Sequence, residues 1–274
     1  MPTTQQCAVI GHPVAHSLSP AIHRAAYRSL GLDWSYRAVD IEPGGLPAFV
    51  AGLDETWRGL SVTAPHKIDL VGLGAPDETV RRLGVANTWV RTADGPVVAN
   101  TDVTGFVLAC RTRGLPAPGS VAVVGAGATA RSVIAGAARL GAHDLTIVSR
   151  SLERSSQALM LAAELGLEAQ WMPLGEAGPG ALSGVDLLVS TVPAAGLAEV
   201  AEGLVAGVAT VFDVVYDPWP TPLATAAAHA GAPVLDGLDL LAGQAVDQVR
   251  LMTGHEVPLD LLRSAAQDGL NARL

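Results

Sequence analysis

The apolar residues of this chain fall into short runs separated by segments with helical spacing. From residue 120 onward the runs have the length of buried strands, and the segments between them carry apolar residues three or four positions apart. Strands that alternate with helices predict a parallel, doubly wound sheet. The predicted strands lie at 121–124, 145–148, 169–172, 185–191, 209–216 and 232–237.

The part of the chain before this region shows the same alternation, with a hairpin added. Apolar runs on either side of Asp94-Gly95 predict a pair of antiparallel strands joined by a tight turn. The other predicted strands lie at 7–10, 34–41 and 59–63. Helices are predicted at 19–30, 46–53, 103–112, 128–140, 152–165, 222–230, 237–252 and 258–270.

Polar residues stand at several predicted helix starts, so each has a structural interpretation. Ser19 comes directly before a proline, a pattern in which the hydroxyl caps the helix. Asp102 is a plausible N-cap in the same way, and Pro65 suits the start of a helix that carries Lys67 as a solvated lysine. A second role for Ser17 and Ser19 as ligands stays open, because α/β folds bind ligands where strands end and helices begin.

A glycine turn joins the run at 121–124 to an Ala-rich helix. Gly125, Gly127 and Ala130 have the spacing G-x-G-x-x-G/A within a strand, turn, helix and strand unit. The first glycine allows a tight turn, the second lets the backbone approach a pyrophosphate, and a small third residue lets helix and strand pack closely. The helix dipole then faces the phosphates, although a purely structural turn is the alternative. The predicted contacts are Gly125, Ala126, Gly127, Ala128, Thr129 and Ala130.

The end of the following strand indicates which dinucleotide is bound. NAD-binding units usually carry an acidic residue there, whereas this chain has Ser149, Arg150 and Ser151, with Arg154 one helical turn later. Guanidinium and hydroxyl groups suit a 2′-phosphate, and a planar guanidinium binds phosphate through two hydrogen bonds. The pattern favours NADP, and the alternative is a pair of solvated arginines at the start of a surface helix.

Composition is typical of a globular protein. The 274 residues suffice for two domains of ordinary size, and with 49% hydrophobic and 16% charged residues the chain is not disordered. A net charge of −9 without a basic stripe argues against nucleic acid as a partner. No apolar stretch is long enough to span a membrane, and the opening residues lack the features of a signal peptide. We therefore expect a cytoplasmic protein.

The cysteines and histidines form no pattern of a disulfide framework or a metal site. Cys7 and Cys110 are the only cysteines and form no CxxC motif, so we expect reduced thiols. His12 and His16 are four positions apart, but Pro13 between them argues against a helical metal pair. No metal is predicted.

Taken in order along the chain, the motifs resemble those of the shikimate dehydrogenase family. They are Ser17-x-Ser19-Pro20, Val62-Thr63-x-Pro65-x-Lys67, Ala86-Asn87-Thr88, Asn100-Thr101-Asp102, GAGATA, Ser149-Arg150-Ser151, the segment from Asp213 to Leu223, and GLDLLxxQ. Each motif alone is modest, but their order and separations together are specific. The resemblance covers almost the whole chain.

This resemblance implies an α/β fold of two domains: an α/β substrate domain and a doubly wound Rossmann NADP-binding domain. The substrate domain would comprise residues 1–103 and 237–274, and the NADP domain residues 104–236. The implied reaction is the reversible, NADPH-dependent reduction of 3-dehydroshikimate to shikimate, in the pathway to chorismate and the aromatic amino acids. The implied partner is this small-molecule substrate, and a homodimer is left open.

The resemblance also implies roles for individual residues. Lys67 and Asp102 match the family's acid–base pair, which the chemistry requires because a hydride leaving the carbinol carbon must be matched by a proton leaving its oxygen. Whether Lys67 is the base itself or a charge that stabilises the alkoxide is left open. The implied substrate ligands are Ser17, Ser19, Ser61, Thr63, Asn87, Tyr216 and Gln244. Further implied cofactor contacts are Thr191, Val214 and Gly237.

The chain departs from the family pattern at a few positions. Ser61 replaces the asparagine of an Asn-Val-Thr motif, and Leu240 replaces a methionine near the nicotinamide. Ala128 and Thr129 replace part of the GAGGA turn, and serines flank Arg150 where the family has Asn-Arg-Thr. These changes concern substrate breadth and cofactor preference. The alternatives are a quinate/shikimate or aminoshikimate dehydrogenase and, from another class, a non-catalytic NADP-binding sensor.

Overall fold

The computed structural model describes residues 4–273, so the first residues of the segment used to exclude a signal peptide lie outside the described residues. The chain divides into two compact units. The first unit extends to Gly105 and resumes at Leu241, and the second unit is Phe106–Leu240.

The first unit contains a six-stranded mixed sheet. Its strands are β1 (Gln6–Gly11), β2 (Ser35–Asp40), β3 (Trp57–Val62), β4 (Ala75–Pro76), β5 (Thr88–Thr92) and β6 (Gly95–Ala99). They lie in the order β2-β1-β3-β5-β6-β4, with β1 parallel to both of its neighbours. The predicted hairpin is confirmed, because β5 and β6 pair in antiparallel fashion across Asp94-Gly95.

The second unit contains a six-stranded sheet in which every pairing is parallel. Its strands are β7 (Ser120–Val124), β8 (Asp144–Ser149), β9 (Glu168–Pro173), β10 (Leu187–Ser190), β11 (Thr210–Asp213) and β12 (Val234–Leu235). The order β12-β11-β10-β7-β8-β9 is that of the doubly wound dinucleotide fold, and it confirms the predicted parallel sheet. The chain reverses its direction of winding between β7 and β10, where such folds bind ligands.

Helices connect the strands, and two more helices follow the last strand. They are α1 (Ser19–Ser29), α2 (Leu46–Ala51), α3 (Glu78–Leu83), α4 (Asp102–Thr112), α5 (Ala128–Leu140), α6 (Leu152–Glu164), α7 (Ala201–Val205), α8 (Pro222–His229), α9 (Gly237–Thr253) and α10 (Leu259–Asn271). Short 3-10 helices lie at Asp69–Leu73, Leu174–Glu176 and Ala194–Leu197. Within residues 4–273 no helix has the length and apolarity needed to cross a bilayer.

Apolar residues of the strands form the core of each unit, since alternate strand positions face the covering helices. In the first unit Leu60 and Trp89 are among the fully buried side chains. In the second unit the rings of Phe106 and Phe212 stack at a centroid distance of 5.4 Å. Gly136 of α5 lies so close to Phe106 that a Cβ there would be 2.5 Å from the ring, so the missing side chain allows this packing.

Helix α1 begins at Ser19 as predicted, but the predicted cap there and the predicted helix start at Pro65 are wrong. The N-cap of α1 is Leu18, without a side-chain hydrogen bond, and Ser19 is already the first helical residue. Pro65 does not start a helix that carries Lys67; instead Lys67 lies in a turn that precedes the 3-10 helix Asp69–Leu73. In both cases the local signal is a weak prior, which the surrounding tertiary structure overrides.

Candidate active site

Lys67 and Asp102 form a buried ion pair in the first unit. The distance between Lys67 Nζ and Asp102 Oδ2 is 2.6 Å, and the two side chains are only 12% and 7% exposed. The main chain holds the lysine in place, because the carbonyl oxygen of Lys67 accepts a hydrogen bond of 2.8 Å from the Ala86 amide. A charged pair this well shielded from water keeps its geometry and interacts strongly.

Asp102 does not cap helix α4, contrary to the structural prediction. The backbone amides of Asp102 and Val103 donate to Asn100 Oδ1 at 3.1 and 3.3 Å, so the capping oxygen belongs to Asn100. Capping by Asn100 satisfies amides at the helix start and leaves the Asp102 carboxylate to bind other side chains. The Asn-Thr-Asp sequence thus separates the capping residue from the charged residue.

The side chain of Asn87 holds the other carboxylate oxygen. Its Nδ2 donates to Asp102 Oδ1 at 2.8 Å, while its Oδ1 accepts from the Thr101 amide at 2.8 Å. The side chain of Gln244 approaches the same group, with Oε1 3.4 Å from Asn87 Nδ2. Asn87 and Gln244 are both buried, and a Cβ on Gly105 would collide with the backbone of Gln244. The absence of that Cβ brings the glutamine close to the Lys67–Asp102 ion pair.

The predicted hydroxyl ligands lie at the ends of β1 and β3. Ser17 and Ser19 follow β1, and Ser17 Oγ accepts from the Ser19 amide at 3.3 Å. Thr63 follows β3 and donates its backbone amide to Ile10 at 2.8 Å. Ser61 lies within β3 and is 4% exposed.

Ser61 takes part in a hydrogen-bond network behind the predicted ligands. Its hydroxyl accepts from the Tyr36 hydroxyl at 2.6 Å and donates to Gln248 Oε1 at 2.7 Å. His23 stacks on Tyr36 at a centroid distance of 4.1 Å, and His23 Nε2 lies 3.2 Å from the same Gln248 oxygen. Burial lowers the pKa of His23 to about 4, so the imidazole is neutral at physiological pH.

Tyr216, the remaining predicted substrate ligand, belongs to the second unit. It is half-buried in the segment that follows β11. The Asp213 carboxylate fixes the start of this segment by accepting from the Thr221 hydroxyl at 2.7 Å and from the Val215 amide at 3.2 Å. Burial raises the pKa of the Asp213 carboxyl, which those hydrogen bonds oppose.

The second unit has a pocket of about 490 Å³ at the carboxyl ends of its central strands. It includes much of the predicted cofactor site: the glycine turn, both serines and both arginines. The lining residues are Val124, Gly125, Ala126, Gly127, Val148, Ser149, Arg150, Ser151, Arg154, Leu174, Val192, Pro193 and Gly196.

The backbone of the glycine turn fits a pyrophosphate. Gly125 has a φ of +110°, which other residues rarely adopt, and a Cβ there would collide with Thr191. Gly127 is the N-cap of α5, and a Cβ on it would meet no atom within 4 Å. Open space at the amino end of a helix, where backbone amides lack partners, is the environment that phosphate groups prefer.

The serines flanking Arg150 have structural roles, and the arginines face the pocket. Ser151 caps α6 by accepting from the Arg154 amide at 3.3 Å. Ser149 Oγ accepts from Trp171 Nε1 at 2.9 Å. Because Arg150 and Arg154 line the same pocket as the glycine turn, the residues present fit a dinucleotide with an additional phosphate.

The other predicted cofactor residues do not line this pocket. Ala130 is wholly buried in the core beneath the turn, as its role in close packing requires. Thr191 Oγ1 donates to the carbonyl oxygen of Val124 at 2.8 Å, and Val214 packs against the same core. Ala128 and Thr129 form the first turn of α5, and Gly237 is the first residue of α9, where a Cβ would collide with the backbone of Val214.

Sequence reasoning missed several residues, both in the pocket of the second unit and around Asn87 in the first unit. Val192 and Pro193 are the second and third residues after β10, so the rule that ligands bind at the carboxyl ends of central strands would have found them. Thr88, Thr101 and Gln248 surround Asn87, but no local pattern marks a residue that acts through another side chain. Within residues 4–273 no group of three or more His, Cys, Asp and Glu side chains is placed to hold a metal ion.

Comparisons with known proteins agree with this architecture. Residues 9–89 match the family model described as the shikimate dehydrogenase substrate binding domain, and residues 237–267 match that of the shikimate 5′-dehydrogenase C-terminal domain. Shikimate dehydrogenase (NADP(+)) of Methanothermobacter thermautotrophicus is 35% identical over 98% of this chain and 98% of its own length.

Solved structures give the same result. The crystal structure of Mycobacterium tuberculosis shikimate dehydrogenase has a TM-score of 0.90 and 35% identity, covering 96% of this chain and 99% of that one. Shikimate 5-dehydrogenase of Thermus thermophilus, solved in complex with NADP(H) and shikimate, has a TM-score of 0.85 and 32% identity, covering 97% of this chain and all of that one. This chain therefore belongs to the shikimate dehydrogenase family.

Proposed function

We propose that this protein catalyses the reversible, NADPH-dependent reduction of 3-dehydroshikimate to shikimate. The observation that carries the proposal is the buried ion pair between Lys67 and Asp102, next to the amide side chains of Asn87 and Gln244. A charged pair beside neutral donors and acceptors is suited to binding a polyol acid and moving a proton at one of its oxygens. The family relationship supports the same reaction.

When bound, NADPH supplies the hydride that reduces a carbonyl carbon. As the carbon gains this hydride, the carbonyl electron pair moves to the oxygen, and we assign the proton that the oxygen then takes up to the Lys67 ammonium. Asp102 suits the role of stabilising and orienting the ammonium, because one of its oxygens binds Lys67 and the other accepts from Asn87. In the oxidation direction the same lysine receives the proton from the carbinol.

The proposed substrate ligands are those that the resemblance implied: Ser17, Ser19, Ser61, Thr63, Asn87, Tyr216 and Gln244. Ser61 has little hydrogen-bonding capacity left for a substrate. Its hydroxyl already donates to Gln248 and accepts from Tyr36, so it has one lone pair left to accept a hydrogen bond from a substrate hydroxyl. Such a ligand selects for a hydroxyl donor at that position of the substrate.

We propose that the glycine turn binds the pyrophosphate and that Arg150 and Arg154 bind the 2′-phosphate. The support is that both arginines line the pocket beside Gly125 and Gly127. We found no acidic residue among the lining residues that would favour the ribose 2′-hydroxyl of NAD. Ala128, Thr129, Ala130, Thr191, Val214 and Gly237 stay proposed as residues that shape the cofactor site.

The test is a turnover assay with the purified protein, pairing shikimate or quinate with NADP⁺ or NAD⁺ and following the absorbance of the reduced cofactor. We expect fast turnover with shikimate and NADP⁺ and much slower turnover with the other pairs. Comparable rates with quinate or NAD⁺ would assign the protein to a related polyol-acid dehydrogenase. Tight NADP⁺ binding without turnover of either acid would contradict the proposed reaction and favour a sensor.

A further inference from the structure

Thr88 and Gln248 lie behind Asn87 in the interior of the first unit. Thr88 is 0% exposed and Gln248 is 1% exposed. Gln248 Nε2 donates to Thr88 Oγ1 at 3.1 Å, and Thr88 Oγ1 donates to Asn87 Oδ1 at 2.9 Å. Because Asn87 in turn donates to Asp102, a continuous series of hydrogen bonds runs from Gln248 to the carboxylate of the acid–base pair.

The direction of these hydrogen bonds is fixed where the series begins. Gln248 Nε2 lies 3.3 Å from the backbone carbonyl oxygen of Asn87, which can only accept. The amide nitrogen of Gln248 must therefore face Asn87 and Thr88, and its oxygen must face the Ser61 hydroxyl, which donates to it at 2.7 Å. Gln248 thus has one allowed orientation.

This orientation determines the direction of the next hydrogen bond. The Thr88 hydroxyl receives an N–H from Gln248 and donates its single proton to Asn87 Oδ1 at 2.9 Å, since its other possible acceptor, the Thr101 hydroxyl, is farther away at 3.5 Å. The Thr101 amide donates to the same Oδ1 at 2.8 Å. With two donors on its oxygen, Asn87 must direct Nδ2 toward Asp102; a rotated amide would place its oxygen against the carboxylate.

We propose that Thr88, oriented by Gln248, is a positioning residue for the acid–base pair. Together with the Thr101 amide it holds the side-chain amide of Asn87, so that Asp102 receives an N–H on Oδ1 and keeps Oδ2 for Lys67. This inference rests on the proposed function, since it assigns a role in the reaction of Lys67 and Asp102. Thr88 is fully buried and acts only through Asn87.

The test compares Thr88→Val, which removes the hydroxyl at nearly constant volume, with Thr88→Ser, which restores it. Thr146→Val is the matched control, because Thr146 is a buried strand residue whose hydroxyl also accepts from a glutamine Nε2, that of Gln170 at 3.0 Å. We expect Thr88→Val to lower kcat for shikimate oxidation about 10-fold or more and to change KM by less, because it removes the buried hydrogen bond to Asn87 together with the one from Gln248. Thr88→Ser should recover most of kcat, and Thr146→Val should leave it unchanged.

Three results would overturn the inference: an unchanged kcat in Thr88→Val, an equal loss in Thr88→Ser, or an equal loss in Thr146→Val. A second readout does not depend on turnover. The side-chain amide NMR signals of Asn87, assigned by their absence in Asn87→Asp, should shift in Thr88→Val and return in Thr88→Ser. An inactive wild-type protein would contradict the proposed function alone, and unshifted Asn87 signals would then overturn the positioning role.

Discussion

The two units of this protein build their candidate sites in opposite ways. In the first unit, Lys67, Asn87, Asp102 and Gln244 come from separate elements and meet through buried side chains. In the second unit, the pocket is lined mainly by two stretches that follow neighbouring strands, the turn after β7 and the segment after β8. One site is made by side chains and the other largely by backbone.

This difference indicates which changes each site tolerates. A backbone site keeps its shape when side chains vary, provided that Gly125 retains its positive φ, which is consistent with Ala128 and Thr129 replacing part of the usual turn. A site built from side chains that are hydrogen-bonded to one another loses function when one of these groups is removed. The remaining groups are then buried without a hydrogen-bond partner. We therefore expect losses of rate in the first unit and graded losses of affinity in the second.

The largest expected effect comes from removing the acid–base pair. Lys67→Ala and Asp102→Asn should each lower kcat for shikimate oxidation on the order of 100- to 10,000-fold, the range for loss of a positioned proton-transfer group. Their affinity for NADP⁺, measured by titration calorimetry, should stay unchanged. Arg82→Ala is the control, because it removes an exposed ion pair with Glu78 at 3.7 Å. A kcat within a few fold of wild type would show that the buried pair is structural only.

An intermediate effect is expected from Arg150, which lines the pocket of the second unit. Arg150→Ala should weaken NADP⁺ binding about 10- to 100-fold, since hydrogen bonds to charged groups contribute about 1.5–3 kcal/mol. NAD⁺ binding should be unaffected, because NAD⁺ lacks the 2′-phosphate. Arg139→Ala is the control, since Arg139 lies in the last turn of α5, at the opposite end from Gly127. Equal losses for both cofactors would contradict the assignment of the 2′-phosphate to Arg150.

The smallest expected effect is a change with pH in the unfolding free energy, caused by His23 in the side-chain network of the first unit. Burial lowers the pKa of His23 to about 4, below the value in an unfolded chain, so the unfolded state binds the proton more readily. The neutral, buried imidazole therefore contributes fully to the unfolding free energy above the pKa that His23 has in the unfolded chain. This contribution decreases as the pH falls from that value toward 4. Between about pH 7 and about pH 5.5 this costs roughly 1 kcal/mol of unfolding free energy.

Urea unfolding of the wild type and of His23→Phe, which keeps a ring against Tyr36, measures this contribution. From about pH 7 to about pH 5.5 the unfolding free energy of the wild type should fall by about 1 kcal/mol relative to that of His23→Phe. A difference independent of pH would mean that His23 does not stay neutral in the folded protein.

Much of the fold and part of the site could be predicted from the sequence. The spacing of apolar residues predicted the parallel sheet and the hairpin, because strand and helix periods are local properties. The glycine turn could also be predicted, since a positive φ at Gly125 requires a residue without a side chain. The hydroxyl cap at Ser19 and the helix start at Pro65 were wrong, because capping and proline signals are local and do not include the contacts that the rest of the fold makes.

The sequence by itself therefore determined the order of the elements, the glycine turn and the residue types available for proton transfer. Only the tertiary structure decided how those residues are used: that Asn100 rather than Asp102 caps α4, and that Ser61 is engaged by Tyr36 and Gln248. The physical reason is distance along the chain. Periodicity and turn chemistry act within a few residues, whereas the partner of a buried polar group depends on which elements pack together and on every donor and acceptor that this packing buries.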